Sequence, residues 1–160
     1  TEVANQTLAM TNDTQQSGIP VILSGIVPEP MDALSAITDA GGYVVADDLA
    51  SCRRRLYPAG KSDDPFTRMA ERIVYAPPDS TKGDNIEDRL QYLIDMAKDC
   101  GAKGVIFYIV KFCEPELFYL PNLRAGLQAA GIPSTTLEID INDPFSQQLQ
   151  TRLEAFLEIL

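Results

Sequence analysis

The stretch Val105-Ile-Phe-Tyr-Ile-Val110 is an unbroken apolar run that ends abruptly at Lys111. An amphipathic strand would alternate polar and apolar residues. A run built only from β-branched and aromatic side chains instead reads as a strand buried on both faces, as in a parallel sheet covered by helices on each side. Immediately after it, Lys111-Phe112-Cys113-Glu114-Pro115 brings together a cation, an aromatic, a thiol and an acid, and then a proline suited to the first turn of a helix. A buried parallel strand running into a helix is where α/β proteins usually place their chemistry. Cys113 would sit at the positive end of that helix, which favours the thiolate, the form that binds metal or acts as a nucleophile.

The rest of the chain supplies the partners such a strand needs. Pro20 to Ser24 is a short apolar strand, followed by the loop Gly25 to Pro30 and a helix over 31–40 that Gly41-Gly42 stops. Tyr43 to Ala46 is a second strand, ending in Asp47-Asp48 ahead of Ser51-Cys52-Arg53-Arg54-Arg55. Asp63-Asp64-Pro65 starts a helix with Phe66, Met69 and Ile73 at helical spacing. Asp84 and Glu87 have the spacing of a capping box, and the helix behind them carries Ile86, Leu90, Leu93, Ile94 and Ala97 on one stripe before Gly101. After the central run, 115–130 reads as a helix with a kink or restart near Pro121. Residues 133–141 alternate as an edge strand would, and Asp143-Pro144 opens a last helix.

Strand and helix therefore alternate four times. The expected fold is a Rossmann- or flavodoxin-like three-layer α/β domain with a four-stranded parallel sheet. The two most apolar strands, first and third, should be central, giving the order 2-1-3-4 with the topological switch between them. Ligands of such sheets bind beyond the carboxyl ends of the strands at the switch. That points to the loops 24–30, 47–53 and 111–115. None of them contains a GxGxxG or GxxxxGK[ST] fingerprint, which counts against nucleotide binding by those routes.

Composition narrows the function further. A length of 160 residues fits one domain with a proper core, here residues 19–160, with 1–18 as a linker or the remnant of an upstream domain. With Thr1 in place of a start methionine, the chain is expected to be a cut piece of a longer protein. A net charge of -10 argues against nucleic acid and anionic membranes as partners. No apolar run approaches a membrane span. Three widely spaced cysteines make no disulfide framework, so a reducing, cytoplasmic setting is expected. With no histidine, Ser-His-Asp and Cys-His catalysis and His-ligated zinc are excluded within this chain alone.

Each candidate site residue has a bland alternative. Cys113 is also readable as a small core residue, as most intracellular thiols are. Cys100, beside Gly101 at a helix end, reads as structural, and Cys52 as a partly buried thiol in the right layer to face the site. The arginine run at 53–55 could grip a phosphate or pair with neighbouring carboxylates. Lys111 could balance an anion or extend into solvent. Asp47 and Asp48 are most simply solvated acids at a strand end. The separations of Cys52, Cys100 and Cys113 match no zinc or ferredoxin spacing.

The block 105–118, together with Pro121 and the stretch Leu123-Arg-Ala-Gly-Leu-Gln-Ala-Ala-Gly-Ile-Pro133, resembles the C-terminal domain of the 2-hydroxyacyl-CoA dehydratase and benzoyl-CoA reductase family. The resemblance takes in Val21 to Gly25, the Val45-Ala46-Asp47-Asp48 turn, Leu137 to Asp140 and the final helix from Arg152 to Phe156. Lys111-Phe112-Cys113 is its most specific part. It implies a 4Fe-4S cluster held by three cysteines, two of them in an upstream domain and the third matching Cys113. It further implies an acyl-CoA substrate, a second homologous subunit in a heterodimer, and an ATP-dependent activator that delivers a low-potential electron to the thioester. A ketyl radical then leads to dehydration, or an aromatic ring is reduced. Ser24, Gly25, Asp47, Cys52, Arg53, Lys111, Phe112 and Glu114 are the expected substrate-side residues. With one cluster ligand of three, the chain alone is expected to hold no intact cluster. Ala50-Ser51-Cys52-Arg53 also departs from the Thr-Gly type of turn that many relatives carry. Two other readings compete: a flavodoxin-like module binding a flavin or small anion, and an acidic domain that docks an electron-donor protein.

Overall fold

A computed structural model describes residues 17–160 of the chain, so almost all of the expected 1–18 linker lies outside the described residues. Four strands, β1 (Ile19–Gly25), β2 (Gly42–Leu49), β3 (Gly104–Val110) and β4 (Ser134–Ile139), form one sheet of order 2-1-3-4. All three pairings are parallel. The helices are α1 (Asp32–Asp39), α2 (Pro65–Val74), α3 (Ile86–Cys100), α4 (Glu114–Ala129) and α5 (Gln147–Glu158). None of them is long and apolar enough to cross a membrane.

The period of two along the central strands splits the core into two halves. Val21, Leu23, Ile106 and Tyr108 point to one face, where they meet Ala33 and Ile37 of α1 and Leu153, Phe156 and Leu157 of α5. Ile22, Val105, Phe107 and Ile109 point to the other, against Leu93 and Met96 of α3 and Leu123 and Leu127 of α4. Every residue from Val105 to Ile109 is fully buried, as a strand covered by helices on both sides must be. Each such side chain contributes about 1.5–3 kcal/mol of burial. β1 and β3 approach closely at Gly25, where an added Cβ would lie 2.1 Å from the Tyr108 carbonyl oxygen. Only glycine fits there.

Several local expectations are corrected. β2 continues through Asp47 and Asp48 to Leu49 rather than stopping at Ala46. Its partner β1 stays paired as far as Gly25, so the ladder carries both acids with it. Asn85, not Asp84, caps α3, its side chain accepting from Glu87 N at 2.8 Å. Asp84 is engaged elsewhere, accepting from Asp79 N and pairing with Lys82 Nζ. α4 runs as a single element through Pro121, with no restart. α5 begins at Gln147 under a Ser146 cap, because Ser146 Oγ and not Asp143 accepts from Leu149 N. α2 has its predicted Asp64 cap, whose carboxylate accepts from Thr67 N at 2.7 Å. No residue of α2 is buried, however, and its stripe of Phe66, Met69 and Ile73 is 82%, 64% and 60% exposed.

Candidate functional site

At the carboxyl ends of β1 and β2 the exits are stitched together before the chain leaves the sheet. Ala50 N donates to Gly25 O at 3.0 Å and Ser51 N to Ile26 O at 2.9 Å, which extends the β1–β2 ladder past both strands. Asp47 then folds the loop back. Its Oδ1 accepts from Leu49 N at 3.2 Å and from Arg53 N at 3.0 Å, an Asx-type turn. The short turn Arg53–Arg55 that follows points the three arginines apart. Arg53 and Arg55 face solvent and Arg54 is buried.

Arg54 enters a network of charges beneath the surface. Its Nε lies 3.4 Å from Asp48 Oδ1 and its Nη1 3.1 Å from Asp79 Oδ1. Nη1 and Nη2 both reach Glu116 Oε1 at 3.1 Å, and Nη2 also donates to the Gly25 carbonyl. Arg89, from the first turn of α3, bridges the two buried acids: its Nη2 is 3.1 Å from both Asp48 Oδ2 and Glu116 Oε2. Ser24 Oγ donates to Asp48 Oδ2 at 2.7 Å, and Ser80 Oγ donates to Glu116 Oε1 at 2.5 Å. Ser24, Asp48, Arg54, Arg89 and Glu116 are essentially inaccessible to solvent. A buried charge is tolerated only when paired and hydrogen-bonded, and here two guanidinium groups face three carboxylates.

This arrangement overturns the reading of Asp48 as a solvated strand-end acid. Because β2 extends to Leu49, Asp48 falls on the same face as Ala46, towards α3 and α4. Burial pushes its carboxyl above the ordinary value of 3.8, against the pull of Arg89 and Arg54. Asp79 behaves in the opposite way. Burial alone would raise it, but the Thr81 hydroxyl and amide together with Arg54 hold it below 3.8. For the arginine run, pairing with carboxylates is what Arg54 does. Arg89, Asp79, Ser80 and Glu116 were not signalled by any motif. The one available hint was Arg89 itself, a charge placed between the core residues Ile86, Leu90 and Leu93.

Above this network lies the turn between β3 and α4. Lys111 N donates to Ile139 O at 2.7 Å, which carries the β3–β4 ladder one residue past the strand. Phe112 then takes a left-handed backbone with φ of 64°, and its side chain is 87% exposed. That conformation is rare for a bulky residue and stores strain. Cys113, half-buried, occupies the N-cap position of α4, its own N donating to Val110 O at 3.1 Å. The expected junction of third strand and helix is therefore where the thiol sits.

The remaining candidates divide by depth. Ser24 and Gly25 are buried and engaged within the network. Asp47 is half-buried and committed to its turn. Cys52, Arg53, Lys111, Phe112 and Glu114 are exposed along the same carboxyl edge. Two hollows are relevant. One of about 180 Å³ adjoins Lys111, between Pro30, Glu138, Asp140 and Asp143. Another of about 670 Å³ is lined by Pro121, Arg124, Gln128 and Ser134. Its α4–β4 loop leads into the start of β4, so it belongs to the amino end of the sheet. Neither Cys113 nor the loops 24–30, 47–53 and 111–115 line it.

No three of His, Cys, Asp or Glu converge as a metal site among the described residues. Cys52, Cys100 and Cys113 are all free thiols. The described residues of this chain therefore form no donor set that fits a complete cluster.

Comparison with known proteins gives this edge a context. The chain is 34% identical over 146 residues to the (R)-phenyllactyl-CoA dehydratase beta subunit of Clostridium sporogenes, an overlap of 89% of this chain and 38% of that protein. It is 28% identical over 169 residues to the beta subunit of (R)-2-hydroxyglutaryl-CoA dehydratase from Acidaminococcus fermentans, covering 99% of this chain and 43% of that one. One of the subunits of benzoyl-CoA reductase from Thauera aromatica is 24% identical over 143 residues, covering 86% and 37%. The chain spans well under half the length of these relatives. The family model for 2-hydroxyglutaryl-CoA dehydratase, D-component, matches residues 1–160, and the chain belongs to that family.

Proposed function

We propose that this chain forms part of an enzyme subunit of the 2-hydroxyacyl-CoA dehydratase or benzoyl-CoA reductase type, and that Cys113 supplies one ligand to a 4Fe-4S cluster completed by residues outside the described ones. The observation that carries this reading is the position of Cys113. It caps α4 at the end of the central strand β3, in a chain that belongs to the family along its whole length. The thiol is free and only half-buried, so it is open to a metal held jointly with other segments, and cysteine is a native ligand of iron–sulfur clusters. When bound, the cluster would supply the low-potential electron for an acyl-CoA thioester.

The roles assigned to this chain's residues follow from their depth. Phe112 offers an apolar contact beside the thiol, and Lys111 and Arg53 offer cations for the anionic parts of a CoA ester. Cys52 and Glu114 lie on the same exposed edge, and Asp47 shapes the loop that presents Cys52 and Arg53. Ser24 and Gly25 support the edge from beneath. A second subunit and an ATP-dependent activator are the partners this reading requires. Relatives bearing the name "beta subunit" support the former.

Cys113→Ala tests the reading in the complete enzyme, with Cys100→Ala as the control. Iron content, visible absorption of the cluster and turnover with activator and ATP are measured for both. Cys113→Ala should lose the cluster and turnover while the fold remains, because removing a half-buried thiol costs about 1 kcal/mol or less. Cys100→Ala should keep both. A full iron complement and near-normal rate in Cys113→Ala would overturn the assignment.

A further inference from the structure

Cys113 and Glu116 share the first turn of α4, at the N-cap and third helical positions. A glutamate at that position ordinarily folds back to accept from the N-cap amide, closing a capping box. Here the Cys113 amide is taken by Val110 O instead. The Glu116 carboxylate turns inward, where it accepts from Ser80 Oγ, both terminal nitrogens of Arg54 and Nη2 of Arg89. These donors come from three separate segments: the loop after β2, the turn before α3, and α3 itself.

Burial in this turn is concentrated on one side chain. Glu114, Pro115 and Phe118 are exposed, Leu117 is half-buried, and Glu116 alone is inaccessible. Apolar packing in this turn is limited to Leu117, half-buried against the core ahead of the buried Tyr119, and the turn's one inaccessible anchor is a carboxylate held by charge-assisted hydrogen bonds. Immediately before it the backbone passes through the left-handed Phe112, a conformation that persists only where its surroundings over-determine it.

We propose that Glu116, clamped by Arg54, Arg89 and Ser80, is a positioning residue for Cys113: it locks the first turn of α4 to the sheet and so sets where the thiol points. This rests on the reading of Cys113 as the reactive group of the edge. Nothing in the cluster chemistry is required of Glu116, which acts only through the turn it holds.

The test is the alkylation rate of individual cysteines in the intact, iron-stripped protein, with iodoacetamide as probe and peptide mass spectrometry as readout. Cys100, at the far end of α3, reports global unfolding in the same sample. Losing hydrogen bonds to a charged group should raise local opening, so Glu116→Gln should label Cys113 roughly tenfold faster or more, with Cys100 unchanged. Glu116→Asp keeps the charge and loses the reach, and should not restore the wild-type rate. If Glu116→Gln accelerates Cys100 as well, Ser80→Ala, which deletes a single donor, decides on the same two rates. An unchanged Cys113 rate in these variants, or full rescue by Glu116→Asp, would overturn the proposal. Iron counting in Cys113→Ala tests the ligand assignment separately, so either idea can fail without the other.

Discussion

Arg54 Nη1 and Nη2 both lie 3.1 Å from Glu116 Oε1, across 62 residues of chain. That contact joins the loop leaving β2 to the helix leaving β3 and so spans the topological switch between β1 and β3. Lateral order at the switch therefore rests on electrostatics as well as on the apolar core.

Buried ion pairs add little net stability over an apolar replacement, but breaking one by removing a single partner leaves the other charge stranded. Arg54→Ala should therefore destabilise the protein by about 3–5 kcal/mol. Arg53→Ala and Arg55→Ala, at exposed positions of the same triplet, should stay within about 0.5 kcal/mol. Urea unfolding of the three variants measures the contrast. Equal losses at all three positions would mean that the run acts through its summed charge and not through the Arg54 contacts.

Asp48 and Asp79 share Arg54 yet should leave opposite signatures in the pH dependence of stability. Asp48 is raised above 3.8 in the folded protein, so the native state holds more protons than the unfolded one above that pH, and stability falls as pH rises through the window. Asp79 is lowered, so its contribution is complete above 3.8 and is lost as pH falls through its folded value. Unfolding free energies of Asp48→Asn and Asp79→Asn, each subtracted from wild type, isolate the two effects. The wild-type advantage over Asp48→Asn should shrink as pH is raised above 3.8. The advantage over Asp79→Asn should shrink as pH is lowered below it. Parallel slopes would contradict the separation of the two carboxylates.

The sheet was legible because its signals are local and redundant. An apolar run such as Val105 to Ile109 has one comfortable place, and two such strands with intervening helices leave few orders. Cys113 was legible for the same reason, lying where a buried strand meets a proline-led helix. The network under it was not. Asp48, Arg54, Asp79, Arg89 and Glu116 are separated by 6 to 62 residues from the opposite charges they meet, and no spacing in a sequence encodes that convergence. Helical periodicity misleads at α2 for a related reason. Phe66, Met69 and Ile73 form a stripe by local rule, but which element a stripe meets is decided by topology, and here it meets solvent.

Phe112 carries the last expectation. A left-handed backbone costs an ordinary residue about 1–2 kcal/mol, whereas asparagine adopts it readily. With 87% of the Phe112 side chain exposed, little burial offsets that cost. Phe112→Asn should therefore raise the unfolding free energy by about 1 kcal/mol. Phe112→Gly should gain less, because glycine also enlarges the unfolded ensemble. If the ring is kept for contact with an acyl-CoA beside Cys113, the same Phe112→Asn change should raise KM in the complete enzyme while stability improves, the trade expected of a strained functional residue. Thermal and urea unfolding set against steady-state kinetics measure both sides of that trade. A loss of stability of more than about 1 kcal/mol would instead mean that the ring holds the turn together and that its exposure is not available to a ligand.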